Sequence, residues 1–463
     1  MSNTEFYYLG ELTAARLPKL ADSEVLCEIW NGFCCRAGKL TVEIGEDNRI
    51  SIGEATYLPL SGKEEFTVCV TQNGIGIVGR DNATLVRGFS TLMMQIEMCE
   101  NDLGRFRIPV GETRGAFSVD RRMIHYCVFP NTTLTALRRL VRLCGVLSYT
   151  HVVLEFWGMI QYDCLKELAW QNAYSKEEIA PIIREARALG VEPIPMINHL
   201  GHASSCRIDS GKHVVLDQNP SLQYLFTPDG WCWDIFSERP KLLLRKMRAE
   251  LCELFGSGEY FHIGCDEAHF FSSEYYPLAG FCDYMRNLTA EVISEGRRPI
   301  LWGDMIVPYD TSSDNADKRA AAKLQEIRMR PVMDALHRDS VIADWQYDTK
   351  QAPVPSSLIF KENGFDVLGC PWDKEKNIDA HYLTATESGT FGLMMTTWHT
   401  LHTMMYCILY FARKCGLPKV AWSDFAGHRR LEIATVLRKI SPIGIDYADS
   451  GFCARQLADT FPW

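Results

Sequence analysis

The chain has 463 residues, 47% of them hydrophobic and 23% charged, with a formal net charge of −10. That length excludes one ordinary core and asks for two or three domains, or one large barrel with an appendage. The acidic balance argues against nucleic acid or an anionic membrane as the main partner. The 17 cysteines are scattered, with one adjacent pair (Cys34, Cys35) and no CxxC spacing, so neither a disulfide framework nor a zinc site is indicated.

In chain order, the opening segment MSNTEFYYLGELTAARLPK has no basic region leading into an apolar run. No signal peptide and no membrane span is therefore expected, and reduced thiols fit a cytoplasmic protein. Short strand-like runs follow at 40–44, 66–70 and 74–78, the last two around Gln72-Asn73-Gly74, a strong hairpin signal. Leu85, Phe89, Leu92, Met93 and Ile96 recur at helical spacing. Residues 1–105 thus predict a small α+β domain, with 102–112 as the linker and 106–463 as a second unit.

From Arg114 onward strand and helix alternate. Strands are expected at 116–119, 151–155, 192–197, 260–264, 298–302, 341–345, 366–369 and 391–398. Between them, Leu134, Leu137, Leu140, Val141 and Leu143 form an apolar stripe. Ser175-Lys-Glu-Glu178 is a capping box, and Gly190 is a stop signal. Leu242, Leu243, Met247, Leu251 and Leu254 mark a further helix. Eight such units over about 300 residues predict an α/β fold, a (β/α)₈ barrel, with peripheral helices after Gly416. A doubly wound sheet is the alternative, and no Gly-rich phosphate turn supports it.

In such a barrel the chemistry sits where strands end. The fourth strand ends His262-Ile-Gly-Cys-Asp266-Glu267-Ala-His269. Adjacent carboxylates can divide into one that stays ionised and one that keeps a proton. The plainer reading is a helix cap beside a first-turn acid. Other strand ends bring Asn198, His199 and His202, then Trp302 and Asp304, then Asp344, Trp345 and Tyr347, then Trp398 and His399. Three tryptophans at three strand ends, facing a carboxylate pair, read as a sugar pocket.

The string HIGCDE resembles the HIGGDE signature of family 20 glycoside hydrolases, the β-N-acetylhexosaminidases. Arg114-Gly115 with Asp120 and Arg122 resembles that family's opening RG…D…R strand, and Gly201-His202 its GH after the third strand. Residues 79–96 resemble the end of the small domain that precedes its barrel. The resemblance implies exo-acting release of terminal β-GlcNAc or β-GalNAc by substrate-assisted catalysis, in which the 2-acetamido oxygen attacks the anomeric carbon. It implies Glu267 as general acid and then base, and Asp266 as orienter of the acetamido N–H. It further implies Arg114 on ring hydroxyls, His202 behind the carboxylates, and Trp302, Trp345 and Trp398 as acetamido walls, with Tyr347 on the acetamido oxygen. Cys265 replaces the second glycine of the signature, which a small side chain tolerates if the backbone needs no positive φ. Thr400, after His399, stands where the family usually has an acidic residue for the distal hydroxyls. That departure points to an unusual far end of the sugar.

No cofactor is expected. A metal set of His262, Asp266 and His269, an inert sugar-binding barrel, and a hydrolase with Asp304 or Asp344 as nucleophile are the competing readings. The partner is a glycan or glycoconjugate. The sequence leaves oligomeric state open, a homodimer being one option.

Overall fold

The structure, a computed structural model, describes residues 4–418 apart from 11, 19–22, 34–38, 46, 100–104, 205–214, 269–276, 308–310 and 312–314, with five further positions between 433 and 440. The peripheral helices expected after Gly416 and the residue His269 lie outside the described residues, save for those five positions and the two that follow Gly416.

Among the described residues eight parallel strands close into a barrel. They are β1 (Arg122–Val128), β2 (His151–Phe156), β3 (Glu192–Met196), β4 (Tyr260–Gly264), β5 (Arg298–Trp302), β6 (Val341–Asp344), β7 (Asp366–Gly369) and β8 (Gly392–Thr396). A helix follows each: α1 (Leu134–Val146), α2 (Lys176–Ala188), α3 (Glu238–Phe255), α4 (Leu278–Ser294), α5 (Ala316–Ala335), α6 (Pro355–Glu362), α7 (Glu375–Ser388) and α8 (Leu401–Lys414). The capping box at Ser175 and Glu178 opens α2, and Gly190 follows its end at φ +71. Because β-strand side chains alternate, every second residue points inward. Met123, Val153, Ile194, Ile300, Val341 and Met394 fill the barrel in this way. The seam closes where β1 pairs with β8.

The first barrel strand is not the one expected. Residues 116–119 do not enter the barrel; Gly111–Ala116 instead pairs antiparallel with Glu64–Val70 as the edge of a six-stranded N-terminal sheet. The expected linker also carries structure, since Phe106–Pro109 pairs with Phe6–Tyr8. The true β1 reads RMIHYCV, and its arginine and histidine obscure the apolar run. Both are buried. Arg122 has a specific reason to be there. Its guanidinium grips both oxygens of Glu65 at 2.9 and 3.0 Å and reaches the carbonyls of Val119 and Ser148. Glu65 also takes Arg87 at 2.8 Å, which ties the N-terminal sheet, the helix Asn82–Gln95 and β1 together.

Thirteen cysteines fall among the described residues and all are free thiols. No described helix is long and apolar enough to cross a membrane.

Candidate active site

The C-terminal ends of the strands bring most of the expected residues together. From β3, Asn198 is buried, and its side-chain oxygen accepts the N–H of Cys265 at 2.9 Å and of Leu200 at 3.3 Å. Its nitrogen therefore faces Asp266 and donates to Oδ1. Gly201 lets the chain pass closely, for a Cβ there would sit 2.3 Å from the Asp266 carbonyl. His202 follows, with Nε2 3.3 Å from Asp266 Oδ2 and 3.3 Å from Glu267 Oε2. One imidazole thus spans both carboxylates, with Trp231 packed on its ring at 4.4 Å.

At the β4 end the backbone is unusual. Gly264, Cys265 and Glu267 have φ of +65, +74 and +49. The condition under which Cys265 would be an easy replacement for glycine is not met, since this backbone does need a positive φ. The cysteine is held in a conformation that costs an L residue on the order of 1 kcal/mol. His202 at φ +55 and Trp398 at φ +43 share this region of backbone space. Asp266 is 4% exposed, whereas the Glu267 side chain is 41% exposed and reaches the opening.

From β5, Trp302 is fully buried, and Asp304 lies one turn of the pleat above it. Asp304 accepts the Glu267 N–H at 2.9 Å and the Trp345 indole N–H at 3.1 Å. Burial, then the charge of Asp266, pushes its carboxyl up to about 7. From β6, Tyr347 accepts the Trp398 indole N–H at 2.7 Å, and burial keeps its hydroxyl well above the usual phenol range. Trp302 and Trp398 lie 5.4 Å apart, and Trp345 and Tyr347 5.1 Å apart, so the four form a continuous aromatic wall. Asp344, by contrast, turns outward and accepts Ser356 and Ser357 at 2.7 and 2.6 Å at the start of α6, which removes it as a nucleophile.

Arg114 is not part of this arrangement. It lies on the N-terminal edge strand, with its guanidinium 3.0 Å from Glu64. The hydroxyl-binding role expected for it has no geometric basis. Asp120 is exposed, and Arg122 serves the Glu65 clamp instead.

Three aromatic residues were not singled out in sequence. Trp231 donates to the Glu267 carbonyl at 2.8 Å, Trp372 donates to Thr400 Oγ1 at 2.8 Å, and Trp157 donates to Glu155 at 3.1 Å. Trp372 also lies 5.0 Å from Tyr347 and 6.2 Å from the exposed His399, extending the aromatic rim to β8. A periodicity argument could have found Trp157, two residues beyond an inward position of β2. Trp231 and Trp372 sit on loops that carry no such pattern.

As to metals, His262 Nδ1 accepts the Gly264 N–H at 3.0 Å and Asp266 is engaged by Asn198 and His202. Among the described residues the set with metal-ligand chemistry is His125, Cys127 and Glu155, whose donors lie within 4.8 Å of one another. Hydrogen bonding accounts for their proximity, since Glu155 Oε2 meets His125 at 3.0 Å, Trp157 at 3.1 Å and the Cys127 thiol at 3.6 Å.

Residues 153–352, from β2 through β6, match the catalytic domain of glycosyl hydrolase family 20. The chain is a glycoside hydrolase that carries a family 20 catalytic domain over those residues. No curated protein sequence matches the chain. Solved structures with the same fold include the chitobiase of Flavobacterium johnsoniae, at 16% identity and TM-score 0.62 over 95% of this chain and 71% of that one. An exo-β-N-acetylglucosaminidase of Vibrio harveyi, determined with N-acetylglucosamine, aligns at 14% identity and TM-score 0.64 over 94% and 76%. The β-N-acetylhexosaminidase of Bacteroides fragilis aligns at 14% identity and TM-score 0.64 over 96% of each chain. Identities this low speak to fold alone. Within the family 20 barrel, the Asp-Glu pair closes the fourth strand and the aromatic wall spans the fifth, sixth and eighth.

Proposed function

We propose that this glycoside hydrolase is an exo-acting β-N-acetylhexosaminidase that removes terminal, non-reducing β-linked GlcNAc or GalNAc from glycans or glycoconjugates with retention. The observation that carries the reading is the His202 imidazole spanning Asp266 and Glu267 beside the aromatic wall of Trp302, Trp345, Tyr347 and Trp398. The names of structural neighbours from Vibrio harveyi and Bacteroides fragilis support the same substrate class.

In the first step Glu267 gives its proton to the glycosidic oxygen as the C1–O bond breaks. The substrate's acetamido oxygen forms the new bond to C1 from the other face. Asp266 accepts the acetamido N–H and offsets the positive charge on the resulting oxazolinium. Its carboxylate is prepared for that task, because Asn198 presents it only with a donor. Trp302, Trp345 and Trp398 exclude water around the methyl group, and the Tyr347 hydroxyl is set to bind the acetamido oxygen. In the second step Glu267 takes a proton from water as water attacks C1 and the acetamido group is released. The nucleophile is already attached to the substrate, so proximity supplies much of the acceleration. On the β8 side His399 and Thr400 face the distal hydroxyls without a carboxylate, which favours a sugar modified at C4 or C6.

The deciding experiment is a panel of aryl β-glycosides in gluco, galacto and 6-sulfated N-acetyl forms, with plain β-glucosides as controls, on wild type and Glu267→Gln. Turnover confined to N-acetyl substrates and lost in the variant is expected. Comparable turnover of plain β-glucosides would sink substrate assistance, and preference for unmodified GlcNAc would sink the claim about the far end.

A further inference from the structure

We infer that Asp304 is a positioning residue, a two-point brace that ties the backbone of Glu267 to the indole of Trp345 and so keeps the acid and the acetamido wall at one spacing. The inference rests on the roles proposed above for those two residues.

The geometry starts at β5. Trp302 points into the barrel, and the alternation of the strand sends Asp304 inward again, 6% exposed, beneath the β4 loop. Each of its oxygens has a different partner. Oδ2 accepts the Glu267 N–H at 2.9 Å, and Oδ1 accepts the Trp345 indole N–H at 3.1 Å. Glu267 needs such support, because its φ of +49 is one that L side chains rarely hold. Its backbone is clamped on both sides, since the Trp231 indole donates to its carbonyl at 2.8 Å and Met305 Sδ meets the next N–H at 3.1 Å. The side chain, met by His202 at 3.3 Å and 41% exposed, faces outward while its main chain is held on both sides.

A carboxylate suits this brace better than an amide. Two N–H groups converge on two oxygens, and the ionised form accepts on both. An asparagine has one acceptor, so its NH₂ would confront one of the two donors. The charge is costly here, because Asp304 faces Asp266, Glu267 and the Cys265 thiol from the β4 end, while His202 reaches the same two carboxylates from the loop after β3 and Tyr347 lies across from Asp266 on the β6 side. Burial and Asp266 push its ionisation up to about 7 against the pull of its donors. The brace therefore tightens as pH rises through neutrality.

The test has an optical and a kinetic arm. Trp345 emission, taken as the difference between wild type and Trp345→Phe, should titrate near pH 7 in wild type and lose that step in Asp304→Asn. This arm needs no turnover, so it stands or falls apart from the hexosaminidase reading. In the kinetic arm, Asp304→Asn should lower kcat at least tenfold and remove the near-neutral ionisation from the kcat profile. Trp345→Phe should chiefly raise KM, and the double variant should lose less than the product of the single losses. Full multiplicativity, or a Trp345 titration that persists in Asp304→Asn, overturns the brace. If Asp304→Asn does not fold, the wild-type titration of Trp345 still decides, since its absence refutes the proposal.

Discussion

At the N-terminal end of the barrel, two cations, Arg122 and Arg87, share the single carboxylate of Glu65. At the C-terminal end, two carboxylates, Asp266 and Glu267, share the single imidazole of His202, and a third, Asp304, braces the Glu267 backbone. Both groups are largely buried, the Glu267 side chain excepted, yet they are built on opposite terms. The Arg-Glu cluster pairs opposite charges and adds hydrogen bonds to carbonyls, which is how a buried charge becomes tolerable. The carboxylate cluster places like charges together and raises the proton affinity of one. The same end of the barrel also holds four of the five non-glycine residues with positive φ among the described residues, His202, Cys265, Glu267 and Trp398; the fifth is Ser148. One end spends its polar groups on holding the fold. The other keeps unfavourable contacts that only a reaction rewards.

That contrast can be broken by substitution at each end. The largest effect is expected from Glu267→Gln, with kcat down by about 10²–10⁴-fold and thermal unfolding unchanged; a variant that unfolds early would move Glu267 into the structural class. At the other end, Arg122→Met should cost about 3 kcal/mol in denaturant unfolding, because it breaks a buried pair, while kcat per folded molecule holds. A loss of kcat without loss of stability there would erase the distinction between the ends.

Acidity gives a third probe. His151 and His199 are held down to about 3 and His381 to about 4, all first by burial, so the folded state keeps them neutral while the unfolded chain protonates them near 6.5. Stability should therefore fall as pH drops below 6.5, by up to about 1.4 kcal/mol per pH unit for each histidine. Asp304 and Asp344 act in the opposite sense, since burial raises both and so favours the folded state as they take up protons, but they are two groups against three. Unfolding midpoints from pH 8 to 4 check the balance, and a flat curve contradicts it.

A smaller effect is expected from Asp266→Asn, with activity down by about 10²-fold yet the midpoint up by about 1–2 °C as like-charge repulsion is relieved. The smallest belongs to Arg114→Ala. Its ion pair with Glu64 is partly exposed, so kcat/KM should stay within about twofold and stability within about 1 kcal/mol. A tenfold rise in KM would restore Arg114 to the sugar site.

The sequence was informative where one local pattern decides one local structure. The run YFHIG reads as a buried strand because it is one, and the acids after it fall at its end. The capping box at Ser175 works through contacts four residues long. It was misleading where a distant residue decides. Nothing near Arg114 says that Glu64, fifty positions away, is its partner, or that Glu65 draws Arg122 into a strand start. Trp302, Trp345 and Trp398 could be aligned by counting strands, but the indole of Trp345 meeting Asp304 depends on how β5 and β6 are staggered. Cys265 illustrates a different gap. A cysteine in place of glycine looks like a relaxed backbone, and only the three-dimensional path, tight against Asn198 at the preceding Gly264, shows the positive φ.

The seam between β1 and β8 joins residues about 270 positions apart, and Thr397 reaches across it to the carbonyl of His125. During synthesis β1 leaves the ribosome long before its partner, and contacts of such separation form late. Trp398 stands on the late side of that seam, with its ring 4.8 Å from His125. An unclosed intermediate would already hold the Asp266-Glu267 pair after β4, with Trp302 and Trp345, and still lack Trp398. If the proposed roles hold, competence to bind arrives with the last strand, and the nascent chain carries its acids before the pocket is complete.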